Sequence, residues 1–518
     1  MSQRTLRLGT RRSALARAQS AAIARRLEQL HSGLAVELVG IDTRGDLIQD
    51  KPLSDVDGKE FFTAEIDAAL RSGAVDFTVH SFKDLALERP ADLVLGAVPR
   101  RENPRDLAVF APDVMQRLAA GEPLRIGSSS PRRVALVPDF LQRVLPSAAG
   151  ARVALVPLRG NVDTRLRRVL EPRGSERHLD GVILAFAGLA RLWRDAGGTG
   201  GGEVLRGLLA GLPRMLLPLS ACPTAPAQGA LAIECRTDDA ATRELLAALD
   251  DPATRAAVAV ERALLAGRGG GCHQRFGATQ IQHDELGALL YVREGSDAGP
   301  QPPQLRWQSQ AELPAPPRPI VSWDGTRQPQ PLTHEVPGAA DLAGAALAQA
   351  PAVFIAHRRA LPEGVSAAVA NRCVHLWVSG SESWSALARR GVWVEGCAEG
   401  LGFAALRELL GEELLQLPPL SHWQALTHVG AVEGWSECPA LGTYVVEQPG
   451  AAAGTAPSLA THLYWSSSAQ FDRWRGSVLP HAHHACGPGK TAQHLRRMDL
   501  PHLTVFPSVA HWRAWLHA

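Results

Sequence analysis

Short runs of β-forming residues alternate along this chain with segments of helical periodicity, and most of these runs end in a polar or glycine-containing turn. The first three segments, LRLGT, SALARAQSAAIARRLEQL and AVELVGIDT, predict a strand, an amphipathic helix and a second strand. The same succession returns at VDFTVHS, LRIGSSS, RVALVPLRG and DGVILAFAG. This alternation predicts an α/β fold with parallel sheets, in which ligands collect at the carboxyl ends of the strands.

The chain is too long for one hydrophobic core, since 518 residues correspond to several domains of roughly 100–200 residues each. A proline-rich stretch containing PAPPRP predicts a linker at residues 312–319. The module beyond it, residues 320–518, contains a weak internal repeat at an offset of about 107–109 residues. In this repeat VFIAHRRAL resembles HLYWSSSAQF, and WVSGSESWSALARR resembles ACGPGKTAQHLRR. The repeat favours two similar α/β halves.

Composition argues against several classes of protein. The formal net charge of +2 gives no reason to expect a nucleic-acid partner. The seven cysteines form no CxxC pair, which favours a reducing compartment over a disulfide framework. The N-terminal sequence has no apolar signal core, and no run approaches the roughly 20 apolar residues of a membrane span. We therefore expect a cytoplasmic protein without a membrane partner.

The motif GSSSPRR predicts a helix that begins with unusual charges. Ser130 fits the N-cap and Pro131 the first helical position, so Arg132 and Arg133 fall in the first turn. Two cations there oppose the helix dipole at a cost of about 0.3–1 kcal/mol each unless an anion intervenes. This cost indicates a ligand with several negative charges.

Other turns repeat the design. Their residues are Arg11, beside the predicted helix cap Ser13, and Arg159, Arg165 and Arg191. For any single arginine, a solvated surface charge is an equally good interpretation. Their recurrence favours a carboxylate- or phosphate-bearing ligand, because a guanidinium grips such groups through two parallel hydrogen bonds. No complete phosphate loop is present, since His484 stands where the first glycine belongs ahead of GPGKT. A polycarboxylate is the class of ligand that remains.

An acid, a base and a cysteine add chemistry to these cations. The predicted strand VDFTVHS runs into Lys83 and Asp84, and Asp84 can act as a general acid or form a structural ion pair. Cys272 follows three glycines in GRGGGCHQRFGA, which permit close backbone approach and positive φ. Cys272 and His273 are adjacent, and adjacent residues rarely supply two ligands of one tetrahedral metal site. We interpret Cys272 as a nucleophile or attachment point and expect no metal.

Nine blocks of the sequence occur in the order found in porphobilinogen deaminases, which the chain resembles over about residues 4–290. They are TRRSALARAQ, TRGD, HSFKD, RENPRD, GSSSPRR, LRGNVDTRL, VILAFAGLARL, TAPAQGALAIECR and GGCHQRFGA. The resemblance implies three domains, two of them like the lobes of periplasmic binding proteins. Domain one would comprise residues 1–111 and 213–233, and domain two residues 112–212. Domain three, a small α/β domain over residues 234–311, would carry the cysteine loop.

The same resemblance implies hydroxymethylbilane synthase activity, a step of tetrapyrrole biosynthesis. In that family a dipyrromethane cofactor is held by a thioether to the loop cysteine, which corresponds to Cys272. Four porphobilinogen molecules each lose ammonia as they are added head to tail, and hydrolysis then releases hydroxymethylbilane. Asp84 and Lys83 would be catalytic. The residues that would bind cofactor and substrate are Arg11, Ser13, Lys59, Ser129, Arg132, Arg133, Arg159, Arg165 and Arg191.

The segment DKPLSDVDGKEFF departs from the family pattern. Asp55 and Asp57 stand where the family usually has a lysine and a glycine, while Lys59 remains. The segment is interpreted as a lid over the site, so the exchange should alter the grip on substrate more than the chemistry.

Residues 320–518 resemble uroporphyrinogen-III synthases, a family of two-lobed α/β proteins, in the blocks WSSSAQF and HACGPGKTAQHLRR. The first strand and helix of that family are missing or eroded around residues 321–337. If this half is active, Tyr444 is the candidate catalytic residue, and Tyr464 is interpreted as an ordinary strand residue. The histidines of HAHH are interpreted as a solvated strand entrance rather than a metal site.

Three functions are therefore weighed. The first is a deaminase, and the second is a bifunctional enzyme that also cyclises hydroxymethylbilane to uroporphyrinogen III. The third is a non-catalytic carboxylate-binding protein, which would explain the arginines and Asp84 but would not need Cys272 on a triglycine loop. We expect a monomer.

Overall fold

The structure is a computed structural model that describes residues 4–43, 63–195, 200–270, 274–326, 332–447 and 456–517. The chain divides into two compact units. The first comprises Met1–Gln142, Ala151–Gln280 and Leu290–Leu305. The second comprises Arg143–Gly150, Ile281–Leu289 and Arg306–Ala518. Both are mixed α/β.

The first lobe of the first unit is built on a sheet of order β2-β1-β3-β10-β4. Its strands are β1 (Arg4–Arg11), β2 (Leu34–Ile41), β3 (Phe77–Ser81), β4 (Leu93–Ala97) and β10 (Leu231–Arg236). β10 is antiparallel to both of its neighbours, whereas β1 is parallel to β2 and β3. Helices α1 (Ala14–Leu30) and α2 (Ala64–Arg71) accompany it. α1 begins where predicted, because Ser13 Oγ accepts a hydrogen bond from the Ala16 N–H at 3.3 Å.

The second lobe repeats this topology with the order β7-β6-β8-β5-β9. Its strands are β5 (Asp106–Phe110), β6 (Leu124–Gly127), β7 (Val153–Val156), β8 (Gly181–Ala185) and β9 (Arg214–Leu216). Its helices are α3 (Val114–Ala119), α4 (Pro131–Val144), α5 (Val162–Leu170), α6 (Phe186–Trp193) and α7 (Gly201–Leu209). The start of α4 confirms the predicted cap, since Ser130 Oγ accepts from the Arg133 N–H at 3.4 Å.

The chain crosses between the lobes twice, over residues 98–105 and 217–230. Each crossing delivers the antiparallel strand of the lobe it enters, β5 or β10. The predicted boundary at residue 111 therefore falls after β5, although β5 belongs to the second sheet, as does β9 of the predicted return segment. The crossings touch at Gly229, whose carbonyl accepts from the Glu102 N–H. A Cβ at Gly229 would lie 2.5 Å from the Glu102 oxygen, and its φ of +90° also requires glycine.

The chain after β10 continues with α8 (Ala240–Ala247) and α9 (Pro252–Ala266). An antiparallel sheet follows, with β11 (Phe276–His283), β12 (Gly287–Ser296), β13 (Gly299–Pro300) and β14 (Gln304–Gln308). Glu261 of α9 is fully buried and accepts from Arg101 and from the Ala227 N–H. These two residues lie on different crossings, so α9 fastens both of them.

The second unit also has two lobes. The larger sheet has the order β16-β21-β20-β17-β18-β19, with β16 (Leu332–Glu335), β17 (Ala352–Ile355), β18 (His375–Val378), β19 (Gly396–Cys397), β20 (Trp423–His428) and β21 (Ala440–Glu447). Its helices are α10 (Ala339–Gln349), α11 (Ala367–Ala370), α12 (Ser381–Ala388) and α13 (Arg407–Leu410). All neighbouring strands run parallel except β16 beside β21.

The smaller sheet has the parallel order β15-β22-β23-β24. It comprises β15 (Ser322–Trp323), β22 (His462–Trp465), β23 (His483–Cys486) and β24 (Leu503–Val505), with α14 (Ser468–Trp474), α15 (Lys490–Arg497) and α16 (Val509–Leu516). The repeated sequence segments form β17 and β22, then β18 with α12 and β23 with α15. The repeat thus corresponds to matching strand and helix positions in the two lobes.

The start of the second unit is short rather than absent. β15 has two residues and pairs with β22, and no helix occurs between β15 and β16 among residues 324–326, the described part of that stretch. Leu313 of the predicted linker and Ile320 directly after it pack against a cluster that contains Phe506 and Trp512. No helix in the described ranges is long and apolar enough to span a bilayer.

A neutral histidine lies inside the smaller sheet. His484 is buried on β23, and its Nδ1 accepts from Trp465 Nε1 at 3.0 Å. Burial lowers the pKa of His484 to about 4, and His483 and His502 lower it as well.

We expect the second unit to lose stability as the pH falls. Folded His484 stays neutral where the unfolded chain, with its ordinary pKa of 6.5, takes up a proton. The unfolded state therefore binds more protons between those two pKa values, so the free energy of unfolding falls by on the order of 2 kcal/mol across that window. Urea unfolding followed by tryptophan fluorescence measures this, because every tryptophan except Trp193 lies in residues 306–518. His484→Gln should flatten the pH dependence and exposed His422→Gln should not; equal slopes would contradict the assignment.

Candidate active site

The predicted acid and base lie on a 3₁₀ turn, Phe82–Asp84, directly after β3. Lys83 Nζ donates to Gln228 Oε1 at 3.3 Å, whereas the Asp84 side chain is exposed. Burial lowers the pKa of Lys83, the negative charges of Asp84 and Asp106 raise it, and the guanidinium of Arg133 lowers it further. The turn thus presents the Asp84 carboxylate beside the Lys83 ammonium, and burial disfavours the charged form of Lys83.

Arg132 and Arg133 are not free to the extent that the sequence predicts. Both are buried, with 3% and 6% of their surface exposed, and both donate to the carboxylate of Asp106 at 2.7 Å. Burial alone would raise the pKa of Asp106, but the two guanidiniums hold it well below its usual range. The anion that offsets two cations at the start of α4 is therefore a residue of the chain itself. This corrects the inference that their charge requires a ligand.

Gln228 joins this cluster to the turn that carries Lys83 and Asp84. Its Nε2 donates to Asp106 Oδ1 at 2.8 Å and to the Pro104 oxygen at 2.7 Å, while its Oε1 accepts from Lys83. A continuous series of contacts therefore runs from the start of α4, through β5, to the turn after β3.

Arg159 and Arg165 interact electrostatically with the Asp84 group and have no carboxylate partner at hydrogen-bond distance among the described residues. Burial lowers the pKa of Arg165 to about 10, Arg133 and Arg159 lower it, and Asp84 raises it. Arg165 Nε donates to the Gly160 oxygen at 2.7 Å. Arg159 Nη2 is buried and has no hydrogen-bond partner in the described part of the chain. A buried donor without a partner costs about 1–3 kcal/mol, which an anionic ligand would recover.

Ser129 and Arg191 are engaged by the backbone. Ser129 Oγ donates to the Leu158 oxygen and accepts from the Leu158 N–H, each at 2.9 Å, and so clamps the turns after β6 and β7 together. Arg191 donates to the Gly229 oxygen at the crossing, and burial lowers its pKa to about 10.

The structure brings some predicted residues together and leaves others apart. Asp84, Lys83, Arg133, Arg159 and Arg165 influence one another electrostatically. Arg11, at the end of β1, faces His80 of β3 and helps to lower its pKa. Arg191 interacts with Glu102 and Arg194 instead. Cys272, Lys59, Asp55 and Asp57 lie outside the described residues.

Gly270, just before Cys272 in the chain, lies close to the segment that follows Asp84. Gly270 has φ +68°, and a Cβ there would lie 2.8 Å from Leu87 Cδ1, three residues beyond Asp84. Arg262 of α9 donates to the carbonyls of Phe82, Leu85 and Ala86. α9, which leads into the loop, is therefore held on the backbone of the Asp84 turn.

Sequence reasoning missed Asp106, Gln228 and Arg262 as parts of the site. Asp106 and Gln228 stand in RENPRD and TAPAQGA, which were recognised as blocks without roles. The signal for Asp106 was the pair of cations at the start of α4, since a buried pair of guanidiniums requires a carboxylate.

A group that could hold a metal is filled by an arginine. Asp67, His80 and Glu234 offer ligand atoms within 4.8 Å of one another, and all three are buried. Arg89 donates to both Asp67 and Glu234, at 2.7 and 2.8 Å, and so supplies the positive charge. The arrangement is a buried ion-pair network that includes His80 of β3, the strand that leads into the Phe82–Asp84 turn.

In the second unit, Tyr444 is buried on β21 between two histidines. Its ring centroid lies 6.3 Å from His357 and 5.9 Å from His428. Burial raises the pKa of Tyr444 and lowers that of both histidines. His357 follows β17 and His428 ends β20, so both lie at the carboxyl ends of parallel strands, and Tyr444 on β21 is the register partner of His428.

Comparison with known proteins shows which family the N-terminal part of the chain resembles. The family model described as porphobilinogen deaminase, dipyromethane cofactor binding domain, matches residues 6–244. A porphobilinogen deaminase of Roseiflexus sp. (strain RS-1) is 40% identical over 300 residues, which are 57% of this chain and 88% of that protein. Porphobilinogen deaminase 1 of Streptomyces avermitilis is 44% identical over 282 residues, 54% of this chain and 79% of that protein.

Solved structures give weaker similarity. The BenM effector-binding domain with benzoate covers 52% of this chain and 96% of its own at 15% identity and a TM-score of 0.26. YhfZ from Shigella flexneri covers 51% of this chain and 91% of its own at 15% identity and a TM-score of 0.23. Scores at this level carry no argument about fold or ligand.

Replacing Asp106 by asparagine should destabilise the first unit by about 3–5 kcal/mol, because two buried guanidiniums would lose their counter-charge. Urea unfolding followed by circular dichroism measures the loss. Asp238→Asn is the matched control, since that carboxylate is 86% exposed. A change at Asp106 no larger than at Asp238 would show that the cluster carries little of the stability.

Proposed function

This chain belongs to the porphobilinogen deaminase family, and from that premise we propose that Asp84, Lys83 and the cleft arginines carry out the stepwise condensation of porphobilinogen. The chain is a transferase of porphyrin and haem biosynthesis that acts on porphobilinogen, and it contains a dipyrromethane cofactor binding domain. The observation that carries the proposal is the placement of an exposed Asp84 carboxylate beside Lys83 and Arg165.

The cleft suits a cofactor and a substrate that bear carboxylate side chains. Arg159 Nη2 is a buried donor without a partner in the described ranges. Arg165 keeps its charge against burial, with Asp84 as the carboxylate that raises its pKa. A ligand carboxylate would satisfy these donors, whereas an uncharged ligand would leave them desolvated.

Asp84 is the group placed to act on the reacting atoms. When bound, the dipyrromethane supplies the pyrrole carbon onto which new units are joined. Porphobilinogen loses its aminomethyl nitrogen as ammonia, so positive charge develops on its ring. The Asp84 carboxylate can accept a hydrogen bond from the pyrrole N–H and so stabilise that charge. As the new carbon–carbon bond forms, one ring proton is lost, and Asp84 is the exposed base beside it. Such help is typically worth about 10²–10⁴-fold in rate.

Lys83 and the arginines position the substrate. The Lys83 ammonium donates to Gln228, and the charge of Asp84 opposes the lowering of the Lys83 pKa by burial. Arg159 and Arg165 would bind acetate or propionate side chains, while Arg132 and Arg133 act chiefly by holding the start of α4 on Asp106. Arg11, Ser13, Lys59, Ser129 and Arg191 are proposed as further contacts.

We assign cofactor attachment to Cys272. Support comes from the described residues on either side of its loop, because Gly270 and Arg262 fix the loop stem and α9 to the Asp84 turn. The described residues that flank the attachment position therefore lie beside the Asp84 turn.

Asp84→Asn should lower turnover by at least 10² while leaving the fold intact, since the Asp84 side chain has no structural hydrogen bond among the described residues. Turnover is measured as ammonia release and pyrrole consumption, and intact mass reports cofactor loading. Cys272→Ser serves as the reference without cofactor and should lack a mass of two condensed pyrrole units. Near-normal turnover of Asp84→Asn would reject its role. An unmodified wild-type chain that binds porphobilinogen without turnover would instead indicate a non-catalytic carboxylate-binding protein.

A second activity, cyclisation of hydroxymethylbilane to uroporphyrinogen III, is proposed for residues 320–518. Tyr444 favours it, because a buried phenol with a raised pKa stays protonated and can donate to a leaving hydroxyl. The pKa values of His357 and His428 are lowered, so either imidazole can accept or return that proton. Arg358 and Arg359 are exposed beside His357 and offer charge to carboxylate side chains.

Tyr444→Phe should cut the share of the type III product at least tenfold, so that the open bilane and its spontaneously closed isomer accumulate. Chromatography of the oxidised porphyrins separates the isomers. Tyr464→Phe is the control, because Tyr464 is buried against Trp512 and is an ordinary strand residue. Release of open product alone by the wild type would reject the second activity and leave the deaminase intact.

A further inference from the structure

The position of the Asp84 carboxylate depends on the backbone of its turn. The side chain is exposed and forms no hydrogen bond with the described residues, so the Phe82–Asp84 turn fixes its direction. The Phe82 N–H donates to the Ala230 oxygen at 3.0 Å, which anchors the start of the turn. Within the turn the Leu85 N–H donates to the Phe82 oxygen at 3.3 Å. A single 3₁₀ turn is held weakly by such bonds, because their geometry is poor.

One guanidinium binds this backbone on both sides of Asp84. Arg262 Nη1 donates to the oxygens of Phe82 and Leu85, at 3.3 and 3.0 Å. Its Nη2 donates to the Ala86 oxygen at 2.8 Å, and the guanidinium carbon lies 4.6 Å from the centre of the Phe82 ring. Hydrogen bonds from a charged donor are about twice as strong as neutral ones, and the planar guanidinium fixes their directions. Arg262 therefore supplies the anchor that the turn itself lacks.

The helix that carries Arg262 is itself fixed. Glu261, the preceding residue, is fully buried and accepts hydrogen bonds from groups on both crossings. Val258, one helical turn earlier, is buried in the apolar cluster that includes Phe82. In the sequence, α9 is followed by the loop that contains Cys272. Arg262 thus ties the backbone around the exposed carboxylate to the helix that leads to the proposed attachment point.

We propose that Arg262 is a positioning residue of the deaminase reaction, which sets the direction of the Asp84 carboxylate through the three carbonyl groups that it binds. The inference rests on the proposed role of Asp84. A reacting group displaced by about 1 Å can lose on the order of 10² in rate, so the effect should fall on kcat. The arginines proposed to bind substrate carboxylates are not altered, so KM should not follow the loss.

The test is a double-mutant cycle on the full-length holoenzyme. Ammonia release is measured at increasing porphobilinogen for the wild type, Arg262→Gln, Asp84→Asn and the variant with both changes. Intact mass reports the cofactor on each protein. Arg255→Gln is the matched control, because Arg255 lies on the same helix and pairs with Asp250 at 2.7 Å instead of binding the turn.

We expect Arg262→Gln to lower kcat by about 10–100-fold while KM changes by less than about twofold. In the Asp84→Asn background the same substitution should lower kcat by less than about twofold, because residues that act as a unit are not additive. Arg255→Gln should match the wild type. An equal loss of kcat from Arg262→Gln in both backgrounds would overturn the inference, as would the absence of any loss in the wild-type background.

Arg262→Lys separates geometry from charge. Burial raises the pKa of Glu234, whereas Arg89 and Arg262 lower it, and a lysine would keep a positive charge near that carboxyl group. A single ammonium cannot bind three carbonyls in fixed directions, so kcat should fall between those of the wild type and Arg262→Gln. A wild-type kcat in this variant would contradict the geometric role.

The lysine variant takes the place of Arg262→Gln in the cycle, with the same two outcomes, if the glutamine variant does not fold or carries no cofactor. Near-normal turnover of Asp84→Asn alone would reject the role of Asp84 itself, and the inference with it. A large loss in Asp84→Asn, with independent losses from the changes at Arg262, would overturn only the positioning role and leave the proposed function intact.

Discussion

The buried carboxylate of Asp106 is the constraint on which the first unit depends. It stands on the strand that enters the second lobe, and it accepts from two guanidiniums at the start of α4 and from Gln228 on the returning crossing. Removing this carboxylate would leave two buried guanidiniums without their counter-charge. Through Gln228 the same cluster reaches Lys83, so the Phe82–Asp84 turn of one lobe is positioned by the interior of the other.

The two lobes share one topology, and the chain passes between them twice. Residues in these crossings have the least freedom to change. Gly229 must be glycine for close approach and for its positive φ, whereas Ala227 also adopts a left-handed φ of 65° without being glycine. That conformation costs an L-residue roughly 1–2 kcal/mol. The Ala227 N–H donates to buried Glu261, which also binds Arg101 of the other crossing. The hydrogen bonds that hold the crossings together offset this strain.

Much of the site was predictable because its signals are local. The helix caps Ser13 and Ser130, the strand before Asp84 and the repeated halves of the second unit all follow from spacing along the chain. Asp106 was not, because its partners lie 26 and 27 residues away and only folding shows that they share one carboxylate. The same limit applies to Arg262, whose three carbonyl acceptors are more than 170 residues distant in sequence.

Resident carboxylates separate the arginines that hold the fold from those available to a ligand. Arg132, Arg133 and Arg89 each bind a buried acid, and their charges are satisfied within the chain. Arg159 has a buried donor without a partner in the described ranges, and Arg165 contacts a carbonyl but no resident acid at bonding distance. A buried cation costs free energy unless an anion joins it. Leaving such cations beside Asp84 therefore favours binding of an anionic ligand where the exposed carboxylate can act on it.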